Sequence, residues 1–272
     1  MKDVVIVSGV RTAVGSFGGV LKSVPVVELG SYVMKDVLKR VGLKPAVDSY
    51  QNEFSPDTLK DQGMIELEKK GYDYDESLTP VFVDEVIMGN VLQAGQGQNT
   101  ARQAMIAAGI PRQTPAFTIN KICGSGLKAV ALGAQAIMAG QAEVIIAGGQ
   151  ESMSNAPLAL TKARWGHRME LTGVGPVHDL MVYDGLYEIF YGYHMGMTAE
   201  NIVEKYGISR QEQDELALLS HNRAFAAVND GTFAGEIIPV VIKSRKGDII
   251  VDKDERPMET SMEKLGKLRP AF

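Results

Sequence analysis

The residue best equipped for covalent chemistry is Cys123, the only cysteine among 272 residues. It lies in NKICGSGLKAV (120–130), where a thiol precedes Gly124-Ser125-Gly126 and then a run of small and helix-favouring residues. A helix N-terminus offers unpaired N–H groups and the positive end of the helix dipole, which favour thiolate over thiol. Glycines on both sides of Ser125 let other atoms approach the backbone closely. The segment therefore reads as a nucleophile turn, set against the ordinary reading of a lone cysteine as a small buried hydrophobe. Ser125 is a rival nucleophile, disfavoured because no histidine partner is implied near it and a small polar residue suits the turn. Of the four histidines, His194 sits in YGYHMG (191–196) and reads from its neighbours alone as a packed histidine among aromatics. His167, His178 and His221 have no motif around them, and no pair has metal-ligand spacing with Cys123. Lys162, Arg164 and Arg168 read as a solvated basic loop.

The elements that must position Cys123 alternate strand and helix. Residues 4–7 (VVIV) read as a buried strand. A helix over 28–41 places Leu29, Val33, Val37 and Val41 on one apolar face. Residues 83–88 form the next strand, and Asn99 or Thr100 caps a helix ending at Gly109, with Pro111 just beyond. A short strand at 116–119 leads into the Cys123 turn, and the helix over 127–139 stops at Gly140. A further strand over 143–147 closes at Gly148-Gly149. Such alternation implies an α/β fold with a parallel or mixed sheet and helices on both faces. The pattern stops near Glu151, which divides the chain into 1–151 and 152–272. The second part is loop-rich to about Tyr193. Ser209 and Glu212 then form a capping box for a helix reaching about Asn229, with Gly231 as its stop. Residues 237–242 and 249–251 flank Lys246-Gly247 as a hairpin.

Composition excludes several classes. With 28 basic and 33 acidic side chains the formal charge is −5, so no nucleic-acid footprint is present. One cysteine rules out an intramolecular disulfide and suits a reducing compartment. No apolar run approaches the roughly 18 residues that span a bilayer. The N-terminus MKDVVIVSG has neither signal nor transit character, and the expected location is cytoplasmic.

NKICGSGLKAV resembles the nucleophile segment of the thiolases, the enzymes that make or cleave 3-ketoacyl-CoA. VSGVRTAVGSFGG (7–19), VDEVIMGNVLQAGQGQNTARQAMIAAGIP (83–111), AGGQESMSNAP (147–157), DGLYEIFYGYHMGMTAEN (184–201) and EKLGKLRPAF (263–272) resemble further thiolase segments, in thiolase order. The resemblance implies a thiolase-like fold: the first βαβαβ half over 1–151, and over 152–272 a loop domain covering the active site. It makes Cys123 the acyl-thioester nucleophile, with its own backbone N–H in an oxyanion hole. Leu186, His194 and Met195 become substrate-binding residues lining the pantetheine and acyl pocket. His194-Met195 would crowd a long acyl chain, which favours the type that condenses two acetyl-CoA to acetoacetyl-CoA. Coenzyme A is then substrate and product, and no cofactor or metal is implied.

Residues 46–80 depart from the family pattern as an acidic, polar insertion, expected to be a solvated surface excursion with a short helix near 57–69. Also missing are the family's GHP-type histidine, its CxGGG-type second cysteine and its NEAF-type asparagine. The resemblance therefore implies an N-terminal portion, with the second half absent and no turnover by itself. The Ala-rich helix after Cys123 is then expected to expose an apolar face. In the complete enzyme, a homo-oligomer (dimer or tetramer) is expected, with 115–120 as the pairing edge. Rival readings are a broad-specificity 3-ketoacyl-CoA thiolase, a β-ketoacyl synthase relative, and a non-catalytic subunit completed by a partner chain.

Overall fold

A computed structural model of the chain describes residues 2–47, 53, 56–58, 60, 63–166, 173 and 175–272. The first elements in chain order are β1 (Arg11–Thr12), α1 (Val26–Lys39), β2 (Leu43–Pro45), α2 (Glu66–Gly71), β3 (Thr79–Val81) and β4 (Glu85–Gly89). Next come α3 (Thr100–Ala107), β5 (Ala116–Ile119), α4 (Ser125–Met138) and β6 (Ile145–Gly149). The remainder holds β7 (Leu158–Ala159), β8 (His178–Asp179), α5 (Leu180–Gly185), β9 (Tyr187–Glu188), β10 (Tyr193–His194) and α6 (Met195–Tyr206). It ends with α7 (Arg210–Asn229), β11 (Ile237–Ile238), β12 (Val240–Ile242), β13 (Ile249–Val251) and α8 (Met262–Gly266).

The central sheet has the order β5-β4-β6 and is parallel throughout, with Val86 opposite both Ala116 and Ile146. Successive side chains of a strand point to opposite faces. Val86, Met88 and Ile146 accordingly pack with Met34 and Leu38 of α1 and Met105 of α3 in the main core. On the other face α4 lies so close that a Cβ on its Gly133 would stand 3.1 Å from Ile145 Cγ2. Both faces of the sheet are therefore covered, as the alternation of strands and helices predicts. The outer face of α4 leaves Leu127, Val130 and Ala131 exposed, which is the apolar surface expected there.

Punctuation signals set the helix ends. Asn99 is the cap of α3, accepting from Arg102 N through Oδ1 at 3.1 Å, and Gly140 closes α4 at φ 73°. The Ser209 capping box opens α7 as the sequence predicts. Only part of the expected hairpin forms as drawn. β12 pairs antiparallel with β13, whereas Ile237 and Ile238 pair in parallel with Arg11 and Thr12.

Two expectations are corrected. Residues 4–7 are not a buried strand: Val5, Ile6 and Val7 are 76%, 82% and 69% exposed and belong to no strand. The segment stands across a cleft from β6, so its backbone has no neighbour to complete a ladder. The 46–80 segment is not uniformly a solvated excursion either. Glu68 is 1% exposed, its carboxylate accepting from Ile65 N, Arg112 N and Arg112 Nη1. Tyr74 is buried in the main core and donates to Ala108 O at 3.0 Å. The helix there starts at Glu66, and β2 and β3 pair in parallel around it. No helix among the described residues is long and apolar enough to cross a membrane.

Candidate active site

Cys123 is exposed, which sets aside the buried-hydrophobe reading. It sits where β5 has ended and α4 is about to begin, at the carboxyl end of the parallel strands, where open α/β sheets place their ligands. The residue before it, Ile122, has φ 48°, a left-handed conformation that a β-branched side chain rarely adopts. Ser125 holds that turn from both sides. Its Oγ accepts from Lys121 N at 2.7 Å and donates to Ile122 O at 2.6 Å. Asn120 Oδ1 accepts from Ile122 N at 2.9 Å. Ser125 is buried and its hydroxyl is engaged in shaping the turn, so the structure gives it a scaffolding role beside the exposed thiol.

Glycines let the sheet approach this turn. A Cβ on Gly89, at the end of β4, would lie 2.5 Å from the Ser125 carbonyl carbon and 2.6 Å from Gly126 N. On Gly149, at the end of β6, it would lie 3.3 Å from Gly126 Cα. The start of α4 thus rests directly on the ends of β4 and β6, with backbone against backbone.

Leu186, His194 and Met195 are brought together. β9 and β10 pair antiparallel with His194 opposite Tyr187, and Met195 N donates to Leu186 O at 2.8 Å. His194 is the N-cap of α6: its Nδ1 accepts from Gly196 N at 3.0 Å, which leaves Nε2 to carry the proton of the neutral ring. Among the described residues, no hydrogen bond or ring contact joins this group to Cys123. Gly185, preceding Leu186, lies against Leu92, and Leu92 follows β4 by three residues.

That loop is fixed by Glu151, which sequence reasoning left without a role. Its carboxylate accepts from Asn90 Nδ2, Val91 N and Leu92 N at 2.8, 2.8 and 3.1 Å. The signal was an acid two residues after the strand-ending Gly148-Gly149. A second missed residue is Phe272, whose ring stacks on His194 with centroids 4.8 Å apart. No local spacing could have joined positions so distant along the chain. Of the other histidines, His178 packs edge-on against Tyr183 and His221 lies part-buried on α7. His167 and Arg168 lie outside the described residues.

The family model of the thiolase N-terminal domain matches residues 4–50 and 66–272. This chain belongs to the thiolase family. The match skips 51–65, so the departure from the thiolase pattern is narrower than 46–80, and the packed residues Glu68 and Tyr74 fall inside the matched part. Among curated thiolase relatives, an acetyl-CoA acetyltransferase of Syntrophomonas wolfei is 47% identical over 271 residues, covering 100% of this chain and 59% of its own length. One of Pseudomonas aeruginosa is 48% identical over 274 residues, with 100% and 60% covered. A probable acetyl-CoA acyltransferase of Staphylococcus aureus is 44% identical, also with 100% and 60% covered. The crystal structure of the Bacillus anthracis acetyl-CoA acetyltransferase superposes with a TM-score of 0.80 at 38% identity, covering 98% of this chain and 58% of that one. The chain thus spans about 60% of the length of the curated thiolases it matches.

Proposed function

We propose that this chain supplies the nucleophile of a thiolase of the acetyl-CoA C-acetyltransferase type, forming acetoacetyl-CoA from two acetyl-CoA or running the reverse thiolysis. The observation that carries the reading is the exposed Cys123 on a strained turn that Ser125 braces at the start of α4. Sγ of Cys123 attacks the thioester carbonyl, and collapse of the tetrahedral intermediate expels the CoA thiolate to leave an acetyl-enzyme. The backbone N–H of Cys123 donates to the oxyanion. Leu186, His194 and Met195 line the pantetheine and acyl pocket, in a loop domain over 152–272. Coenzyme A enters and leaves as part of substrate and product, and the chemistry needs no resident cofactor. Carbon–carbon bond formation further requires a base to remove a methyl proton from the second acetyl-CoA. Among the described residues, no side chain hydrogen-bonds the Cys123 thiol, so this chain by itself is expected to acetylate without condensing. A cytoplasmic homo-oligomer is the form in which we place the complete enzyme.

Intact-protein mass spectrometry after incubation with acetyl-CoA tests the reading. One acetyl group on Cys123, lost in Cys123→Ala, is the expected result. Acetylation elsewhere, or none, would sink it. The name carried by the Staphylococcus aureus relative favours a second reading, a thiolase of broader acyl range. Octanoyl-CoA labelling Cys123 as fast as acetyl-CoA would select that one.

A further inference from the structure

Glu151 stands two residues past the end of the β4–β6 ladder, whose last pair is Gly89 opposite Gly149. Three donors converge on its carboxylate. Asn90 Nδ2 and Leu92 N reach Oε1 at 2.8 and 3.1 Å, and Val91 N reaches Oε2 at 2.8 Å. The loop over 90–92 faces both parts of the site. On one side Asn90 N donates at 3.0 Å to the carbonyl of Ile119, the last residue of β5, and the chain continues from there into the Cys123 turn. Gly89, just before the loop, lies under Ser125 and Gly126 at the start of α4. On the other side Leu92 is 5% exposed, and a Cβ on Gly185 would stand 3.3 Å from its Cδ2. Gly185 precedes Leu186, whose carbonyl accepts from Met195 N at 2.8 Å.

The two ends of this loop are anchored differently. Asn90 has partners apart from Glu151: its N–H is on Ile119 O, and its Oδ1 accepts at 2.8 Å from Thr100 Oγ1, in a fully buried residue of α3. Among the described residues, Val91 N and Leu92 N bond to Glu151 alone. Removing the carboxylate therefore leaves the end beside Cys123 in place and frees the end beside Gly185.

We propose, resting on the acyl-enzyme reading of Cys123, that Glu151 is a positioning residue for acetyl transfer. By holding Val91 and Leu92 it sets where the Leu186, His194 and Met195 group stands relative to the thiol. The bound thioester carbonyl is thereby placed against Sγ. Glu151 itself takes no part in the chemistry and acts through Leu92. Such placement matters because a misplacement of about 1 Å between reacting groups can cost about 100-fold in rate.

The test follows acetylation of Cys123 across acetyl-CoA concentrations by intact-protein mass spectrometry, beside alkylation of the same thiol by iodoacetamide. Iodoacetamide needs no substrate pocket, so its rate reports the Cys123 turn alone. In Glu151→Ala the second-order rate constant for acetylation should fall about tenfold or more, with alkylation unchanged within about twofold. Glu151→Gln keeps one carboxamide oxygen for Asn90 Nδ2 and Leu92 N but loses the Val91 bond, so its acetylation should fall between the two. Unchanged acetylation in Glu151→Ala overturns the proposal. So does alkylation that slows in proportion, which would mean that the turn itself had collapsed, or an equal loss in Glu151→Gln, which would assign the effect to charge. A wild-type chain that takes no acetyl group sinks the acyl-enzyme reading instead, and amide exchange then decides the role of Glu151. Val91, Leu92 and Met195 should exchange about tenfold faster in Glu151→Ala, with residues 125–128 unchanged. Equal exchange in the two proteins overturns the positioning role.

Discussion

Ile122 holds φ 48° against a cost of roughly 1–3 kcal/mol for a strained residue. What holds it is the Ser125 hydroxyl, which accepts from Lys121 N just before the kink and donates to the carbonyl of Ile122 itself. Ser125→Ala deletes both bonds in a buried position and should lower unfolding free energy by about 2 kcal/mol. Acetyl transfer to Cys123 should still be detectable in that variant, because the serine shapes the turn and does not attack. An acetyl label that disappears with folding intact would return Ser125 to the nucleophile role. Gly89→Ala addresses the same turn from below. Its new Cβ would press on the Ser125 carbonyl carbon at 2.5 Å, backbone that can yield only by moving α4. A loss of about 1–3 kcal/mol in urea denaturation is expected, together with slower acetylation of Cys123.

At the scale of elements, two carboxylates act as latches. Glu68 ties α2 to the segment after α3 through Arg112, in a pair where the side chains are 2% and 11% exposed. Glu68→Gln removes the negative charge from these buried bonds to Ile65 N and Arg112 and should cost about 1–3 kcal/mol in urea denaturation. Asp254 latches β1, and the Arg11 guanidinium holds its carboxyl below the ordinary value of 3.8, with Val14 N adding a further bond. A depressed folded pKa contributes stability that is fully present above the unfolded value. That contribution should disappear as pH falls below about 3.8 through the lower folded value, and Asp254→Asn should flatten this part of a stability–pH curve. The elements that were legible in the sequence share a local cause. Asn99, Gly140, Ser209 and the apolar period of α1 each act within a few residues. The parallel pairing of β1 with β11 and the docking of Tyr74 under α3 are contacts between distant segments, which no local period encodes. Residues 4–7 failed for a third reason: their composition is that of a strand, but a strand also needs a neighbour. At the site, the Cys123 turn was legible in its glycines, whereas Glu151 and Phe272 act through partners that are remote in sequence.

Among the described residues, buried apolar side chains gather in two clusters that share one helix. The first joins Met34 and Leu38 to β4, α3 and Ile146. The second collects Ala13, Leu21 and Val24 from the start of the chain with Ile237, Val240 and Val251 from near its end, and Leu29 of α1 completes it. α1 is therefore the rigid link between the sheet that carries Cys123 and the β12–β13 hairpin. Met105, fully buried in the first cluster, should cost about 2–5 kcal/mol on truncation to Ala and bring both clusters down together. Leu29→Ala cuts the link itself. Its cavity lies in the second cluster, so the hairpin should open while the sheet remains folded, and unfolding should lose its single-transition character. Limited trypsin digestion checks this, since Arg245 and Lys246 lie exposed in the turn between β12 and β13. Cleavage there should accelerate in Leu29→Ala at urea concentrations that leave far-ultraviolet circular dichroism of the sheet and its helices unchanged. Coincident loss of both signals would mean that the two clusters form one cooperative unit through contacts other than α1.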